Sequence, residues 1–537
     1  MHRALVLCAL ALAASCDGPS SPPDGSTLDA PSCGAPLPFE PASDDGAAEP
    51  LRAAPGEARA GRLAAADVPI DPDGLSRIRA GDFVLANSRI AVVISDVGPG
   101  ELYDPYGGRI VGLARVRDGA LFEPADYNLF LLGLGRFLVA TEAVGVARDG
   151  SDGGPAVVRA VGPLEAIRAL ADLLDLLVPG DHAGLPAALE YELAPDAEHV
   201  DVFLSVRAGE RRVRANFGAL SAFFQAYRMP AWTPRAGFGD RSGATPFVAF
   251  EDARATSYAW AEADAPLNQL FGAEGIDVIA GESVSIEACE EARLHVGRLV
   301  VGGPGLPGVQ AALARLGGAE LSALRGRVVE ADGSPAIGVR VHVTDADGAH
   351  LTRFVPAEDG TFALEVDARA ASLWAFRAGE PLVGPVPIAD DVTITMGPTG
   401  TVRVAATDEG GAPMPVRVEV VPLDAAPPEA PAAFGEPIAG SGRSHVAFPI
   451  DGTVSLRVPP GRHRVTLSRG PEYERVVTEV DVAAGEEEVV TAALARVVDT
   501  RGVMCADLHI HTHRSSDSSD PGTFKVARSR SAASTSG

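Results

Sequence analysis

Leu324-Arg325-Gly326-Arg327-Val328-Val329, Asp332-Gly333-Ser334-Pro335, Val339-Arg340-Val341-His342-Val343, Asp345-Ala346-Asp347-Gly348 and Asp359-Gly360-Thr361-Phe362-Ala363-Leu364-Glu365-Val366 follow one another in close succession. Short β-branched runs punctuated by Asp-Gly turns are the pattern of a small antiparallel sandwich, since Gly supplies the positive φ of a tight turn and Val suits a half-buried pleated surface. Gly400-Thr401-Val402-Arg403-Val404 begins a similar pattern that runs to about Ala495. Within it Val454-Ser455-Leu456-Arg457-Val458 reads as a strand, Pro459-Pro460-Gly461 as its turn and His463-Arg464-Val465-Thr466-Leu467 as the return strand. The expected fold is therefore mainly β, with two immunoglobulin-like sandwiches at about 321–396 and 397–497.

Toward the N-terminus the strand pattern continues over about 63–320, read as one large β-rich domain. Phe83-Val84-Leu85-Ala86-Asn87-Ser88-Arg89-Ile90-Ala91-Val92-Val93-Ile94 predicts a hairpin turning near Asn87-Ser88. Two helices are expected to interrupt the strands. Pro163 opens the first, and Leu164, Ile167, Leu170, Ala171, Leu174 and Leu177 follow helical spacing. The second covers about 307–316 and stops at Gly317-Gly318. Before the domain, residues 1–16 carry a basic start and an apolar run from Ala4 to Ala14, too short for the ~20 residues of a membrane span and suited to a secretory signal. The run ends Leu12-Ala13-Ala14-Ser15-Cys16, small residues before a cysteine, which resembles a bacterial lipoprotein signal and implies acylation of Cys16. Residues 17–62, rich in Pro, Ser, Gly, Asp and Ala for most of their length, read as a flexible tether. Of five cysteines, Cys33, Cys289 and Cys505 would remain after processing and lipidation; a Cys33–Cys289 bridge and isolated thiols are both open readings.

The 537 residues carry a formal charge of −27, which repels phosphate backbones and argues against a nucleic-acid partner. The remaining partners are a membrane, through the lipid anchor, and a cell-surface polymer or protein; the expected place is the cell envelope. Gly133-Leu134-Gly135 lacks the frame of a dinucleotide site. His182, His199, His295, His342, His350, His445 and His463 are isolated in sequence and read as surface or loop residues.

One segment carries a chemical pattern. Asp507-Leu508-His509-Ile510-His511-Thr512-His513-Arg514-Ser515-Ser516-Asp517-Ser518 sets three histidines at alternate positions. On a strand, residues two apart share a face, so His509 and His511 could bring two imidazoles to one metal. The last residues, 521–537, hold Lys525, Arg528 and Arg530, no acid and no apolar periodicity, and Lys525 is the only lysine of the chain. They read as a tail, natural or frameshifted.

Two resemblances follow from these residues. Gly326-Arg327-Val328-Val329 with Asp359-Gly360-Thr361-Phe362 resembles the carboxypeptidase regulatory-like modules, which implies an immunoglobulin-like fold without catalysis. His509-Ile510-His511-Thr512 resembles the first motif of the PHP (polymerase and histidinol phosphatase) family of metal-dependent hydrolases, in particular its exported, carbaryl-hydrolase-like members. That resemblance implies His509 and His511 as metal ligands, a divalent zinc, manganese or iron ion in intact relatives, and a β/α barrel of which residues 498–520 would be only the first strand. A barrel needs about 250 residues, so the expectation is an exported lipoprotein resembling the N-terminal part of such a hydrolase, truncated and inactive, with no catalytic residue assigned. The alternative is a binding or adhesion lipoprotein built from sandwich modules.

Overall fold

The computed structural model describes residues 33–532 apart from 43, 71–75, 99, 101–103, 128–129, 168–181, 216–220, 225–228, 240–242, 262–265, 274–275, 281–283, 425–428, 437, 501–509 and 513–521. The described chain is mainly β and divides into two compact units. The first comprises residues 1–225, 242–248 and 258–303, and the second 226–241, 249–257 and 304–537.

In the first unit, β1 (Ala58–Arg62), β2 (Phe83–Asn87), β3 (Ile90–Ile94), β4 (Ile110–Arg117) and β5 (Ala120–Asp126) form an antiparallel meander in chain order. Every residue of β2 and β3 is buried, so both faces of this hairpin are covered. Val84, Ala86, Ala91 and Val93 point to one face, where they meet Leu51, Leu63 and Ile78. Asn87 holds the turn by accepting from the N–H groups of Arg89 and Ile90 through Oδ1. Its amide donates to the carbonyls of Ala194 and Ala197. A second antiparallel sheet contains β6 (Ala143–Arg148), β7 (Ala156–Glu165), β8 (Pro186–Leu193), β9 (His199–Arg207) and β10 (Glu291–Pro304), paired in that order.

Two expectations for this unit are corrected. Pro163 does not open a helix: it lies in β7 opposite Pro186, and Leu164 is fully buried there. The Pro163 carbonyl accepts from Ala140 N–H, and Leu164 N–H donates to the Leu185 carbonyl, so the missing Pro N–H leaves the ladder intact on either side. The rest of that expected helix lies largely outside the described residues. The second correction concerns the tether. From Cys33 onward the described residues are part of the unit. Cys33 is disulfide-bonded to Cys289 across a sequence separation of 256. Arg207 stacks on the Phe39 ring at 4.0 Å and donates to the carbonyls of Leu37 and Pro38. Ala58 and Ala60 are fully buried in β1.

The second unit contains helix α1 (Gly305–Gly317), two sandwiches and helix α2 (Gly522–Ala532). α1 ends on Gly318 in the left-handed conformation, whose N–H caps the Ala314 carbonyl. The first sandwich runs β11 (Leu321–Val329), β12 (Arg340–Asp345), β13 (His350–Phe354), β14 (Thr361–Asp367), β15 (Ala370–Phe376), β16 (Val383–Pro387) and β17 (Val392–Thr395). Its two sheets have the orders β14-β11-β17 and β13-β12-β15-β16. The second runs β18 (Gly400–Asp408), β19 (Arg417–Pro422), β20 (His445–Ala447), β21 (Thr453–Val458), β22 (Gly461–Ser468), β23 (Val476–Val482) and β24 (Glu487–Leu494), in sheets β21-β18-β24 and β20-β19-β22-β23. Numbered within each module, both read 4-1-7 packed on 3-2-5-6. In both, the first strand pairs parallel with the last.

The local chemistry repeats as well. Asp359 Oδ1 accepts from Thr361 N–H, and Asp451 Oδ1 from Thr453 N–H. The intervening Gly360 and Gly452 both have φ +78, and their carbonyls accept from Val328 and Ala406 N–H. Separate cores fill the modules: Leu324, Val341, Val343, Leu373 and Ile394 in the first, Val402, Val404, Val418, Val465 and Leu467 in the second.

A Cβ on Gly452 would lie 2.4 Å from the Ala406 carbonyl oxygen, whereas one on Gly411, at φ +85, meets nothing within 4 Å. Gly411→Ala should therefore cost only the left-handed backbone penalty of ~1–2 kcal/mol. Gly452→Ala pays that and must also displace the first strand of its module. Thermal unfolding of the two variants should show the larger loss for Gly452→Ala; equal losses would mean that the turn tolerates the displacement.

Candidate functional site

The residues singled out from the sequence do not assemble into a site among the described residues. Cys16 and His509 lie outside them. Ile510, His511 and Thr512 are described and lie in no strand, and His511 is half-buried. The shared-face argument for a metal pair, which needs strand geometry, therefore has no strand here to stand on. Among the described residues no group of three or more His, Cys, Asp or Glu side chains could hold a metal ion. The tail is not featureless: residues 522–532 form α2, and Phe524 packs edge-on against Phe448 beside the second sandwich, ring centroids 5.7 Å apart.

Two other places concentrate polar chemistry. In the first unit, Asp104, Arg109, Tyr127, Tyr191 and Trp260 line a cavity of about 50 Å³. Burial pushes the Asp104 carboxyl up to about 6, against the opposing field of Arg109. The Tyr127 hydroxyl is buried without a protein partner. At roughly 10–15 Å³ per water this volume suits a few waters, well short of the ~150 Å³ that takes a benzene ring. It is a small pocket on the scale of solvent.

The second place is a buried relay in the second unit, made of histidines that sequence spacing consigned to the surface. His342 on β12 and His350 on β13 are 0% and 3% exposed. The Trp232 indole N–H donates to His350 Nδ1 at 3.0 Å, His350 Nε2 meets His342 Nδ1 at 3.2 Å, and His342 Nε2 meets Glu436 Oε1 at 2.9 Å. Because indole only donates, one assignment satisfies the whole line: both imidazoles neutral, each with its proton on Nε2. Glu436, carried by the connection between β19 and β20, also accepts from Arg340 through both oxygens, at 2.8 and 2.9 Å. Burial opposes the Glu436 charge, but hydrogen bonds from His342 and the field of Arg340 hold its carboxyl below the usual range. Burial drives His342 down to about 4 despite Glu436, and burial also pushes His350 well below the usual imidazole value, with His342 and Arg353 adding to the effect.

Arg353 flanks the relay. Its Nε and Nη2 donate to Glu251 Oε2 at 2.8 and 2.6 Å, and its Nη1 to the carbonyls of Phe434 and Gly435 at 2.8 and 3.2 Å. The Phe434 ring stacks on His342, centroids 4.2 Å apart at 12°, and Phe238 underlies the Arg353 guanidinium at 3.6 Å. Residues 432–436 are thereby fastened to the first sandwich. A second tie is half-exposed. Arg377 binds Glu330 and Glu380 within the first sandwich, and Arg457 of β21 reaches the same two carboxylates at 3.1 and 3.3 Å. Nothing in this arrangement offers a nucleophile or an open cleft; what it does is join two sandwiches.

No protein-family model matches the chain, and no curated protein does. This overturns both family resemblances, to the PHP hydrolases and to the carboxypeptidase regulatory-like modules. Solved structures with some likeness are of other kinds. The Bacillus anthracis TIE protein matches at 9% identity over 66% of this chain and 59% of its own, TM-score 0.15. A streptococcal ancillary pilin matches at 12% over 43% and 81%, TM-score 0.18. The GH36 alpha-galactosidase AgaA from Geobacillus stearothermophilus matches at 11% over 46% and 45%, TM-score 0.27. The chain thus covers less than two thirds of the length of the Bacillus protein.

Arg353 and Glu251 have side chains only 4% and 8% exposed. Arg353→Met leaves a buried carboxylate unpaired and should cost about 3–5 kcal/mol, whereas Arg353→Met with Glu251→Leu should cost much less than the sum of the two single changes. Hydrogen-exchange protection of β12 and β13 measures this; additive losses would show that the pair is not coupled.

Proposed function

We propose that the chain is an exported, lipid-anchored surface protein that acts by binding or adhesion, with its tandem sandwiches serving as a stiff spacer. The observation that supports this best is the second unit itself: one seven-stranded topology used twice, with the two copies held together by a buried relay and by Arg457 on Glu330 and Glu380. A freely hinged pair would need neither tie. Inter-domain motion is the default unless the interface opposes it, and here charged side chains from both modules share partners. The Cys33–Cys289 disulfide supports export, because such bonds persist in oxidising compartments. The strongly acidic chain supports a protein or polymer partner over a nucleic acid. Anchoring rests on Ala14-Ser15-Cys16 following an apolar run; two or more acyl chains on a processed cysteine would give stable attachment.

Anchoring and binding are tested separately. The wild-type chain should fractionate with membranes and Cys16→Ala should not; a Cys16→Ala protein that stays in the membrane fraction with unchanged mass rules out the lipid anchor. For binding, purified chain is co-sedimented with insoluble cell-wall polymer and, in parallel, with beads bearing extracellular proteins. Saturable retention on one of these supports the reading, and a chain that stays in every supernatant removes the adhesion role. Stiffness has its own readout. In small-angle scattering Arg457→Ala should broaden the distance distribution of the chain, and an unchanged distribution would mean that Arg457 does not stiffen it.

A further inference from the structure

Residues 432–436 form a one-turn 3-10 helix, Ala432–Phe434, ended by Gly435 at φ +67, and then Glu436. A Cβ on Gly435 would lie 2.5 Å from the Phe238 Cβ, so the backbone is pressed against its seat. What holds it there is short and specific. Phe434 is 1% exposed, its carbonyl and that of Gly435 accept from Arg353, Ala433 O accepts from Phe238 N–H at 2.9 Å, and Glu436 accepts from Arg340 and His342. This segment reaches from the β19–β20 connection of the second sandwich to strands β12 and β13 of the first.

The relay beneath it has a fixed capacity for hydrogens. There are three gaps in line: Trp232 to His350, His350 to His342, and His342 to Glu436. Trp232 supplies one hydrogen and each neutral imidazole supplies one, so every gap holds one. A fourth hydrogen, added to either histidine, must put two N–H groups into one gap whichever tautomers are chosen. Among the described residues the surroundings offer no relief. There the charged groups acting on the imidazoles are Arg340 on β12, Arg353 on β13 and Glu436 on the 432–436 segment itself, with Glu251 on the 249–252 segment paired to Arg353. Each carboxylate is already shared with an arginine. Two cations balance two anions, and a protonated imidazole is an uncompensated third cation among aromatic rings. Opposed donors and an unpaired buried charge are each expensive.

We propose that residues 432–436 are an acid-released latch, fastened to the first sandwich by an imidazole relay that accommodates three hydrogens and no fourth. The inference rests on this geometry and is independent of whether the chain is an adhesin. An imidazole freed from the relay takes up a proton near pH 6.5. In the closed state His342 takes one only near pH 4. A group with a depressed closed-state value favours closure above pH 6.5 and loses that contribution progressively as pH falls below it. Within that window the closed-to-open ratio should drop about tenfold per pH unit for each imidazole excluded from protonation.

The test uses hydrogen exchange on the full chain between pH 7.5 and 4.5, with rates corrected for the intrinsic pH dependence. Peptides covering 432–436 should lose protection progressively below about pH 6.5, while the core strands β18 and β22 stay protected. Trp232→Phe removes one hydrogen from the line, so a protonated His350 no longer opposes a donor; this variant should release at lower pH than wild type. His350→Gln, which can accept from Trp232 and donate to His342 without titrating, should flatten the profile. Corrected protection that does not change with pH, a Trp232→Phe profile superimposable on wild type, or loss of protection spreading at the same pH to β18 and β22 would each overturn the latch, the last by showing global acid unfolding in its place.

Discussion

Arg353 is the charge on which the organisation of the second unit depends. A guanidinium cannot shed its proton inside a protein, so a side chain 4% exposed needs partners for its charge and its donors. Glu251 takes two of its bonds and the carbonyls of Phe434 and Gly435 take two more, while Phe238 covers one face. That single requirement draws three separate stretches of chain together: the 249–252 segment, β13, and the connection between β19 and β20. The relay from Trp232 to Glu436 runs alongside and shares the same walls. An apolar contact of equal area would hold these stretches together but would leave their relative placement loose. Directional donors specify it.

The two sandwiches show how little sequence identity a topology needs. Both put strand one at the centre of the smaller sheet, flanked by strands four and seven, and both start strand four from an Asp-Gly-Thr turn. The glycine is required because its φ is positive and a strand-one carbonyl lies where a Cβ would be. The parallel pairing of first and last strands closes each module on itself, so each has its own core. Joining them then requires something other than a shared core, and charged and aromatic side chains at the junction supply it.

The histidine-rich segment near the C-terminus and the buried histidines make an instructive contrast. Three alternate histidines in 509–513 look like chemistry because they are close in sequence. His342 and His350 look like background because seven residues separate them and each sits among apolar neighbours. Spatially the second pair is in direct contact, while the described part of the first segment lies in no strand. The signal that could have exposed the buried pair was present but weak: His342 sits at an alternating position of a Val-rich strand, on the same face as Arg340 and Thr344, a polar row beside a valine face.

Strand period and Asp-Gly turns, being local, were enough to indicate a mainly β chain and the sandwich grammar of 321–396 and 397–497, because side-chain alternation and positive φ act within a few residues. The β2–β3 hairpin and α1 were legible for the same reason. Pro163 was not: a proline that opens a helix and one that sits in a strand facing Pro186 look alike until the partner strand is placed. The Cys33–Cys289 pairing, the partners of Arg353, and the alignment of Trp232, His350, His342 and Glu436 all join residues far apart in sequence. Burial and hydrogen-bond direction set those contacts, and both are properties of the folded surroundings, which only the tertiary structure decides.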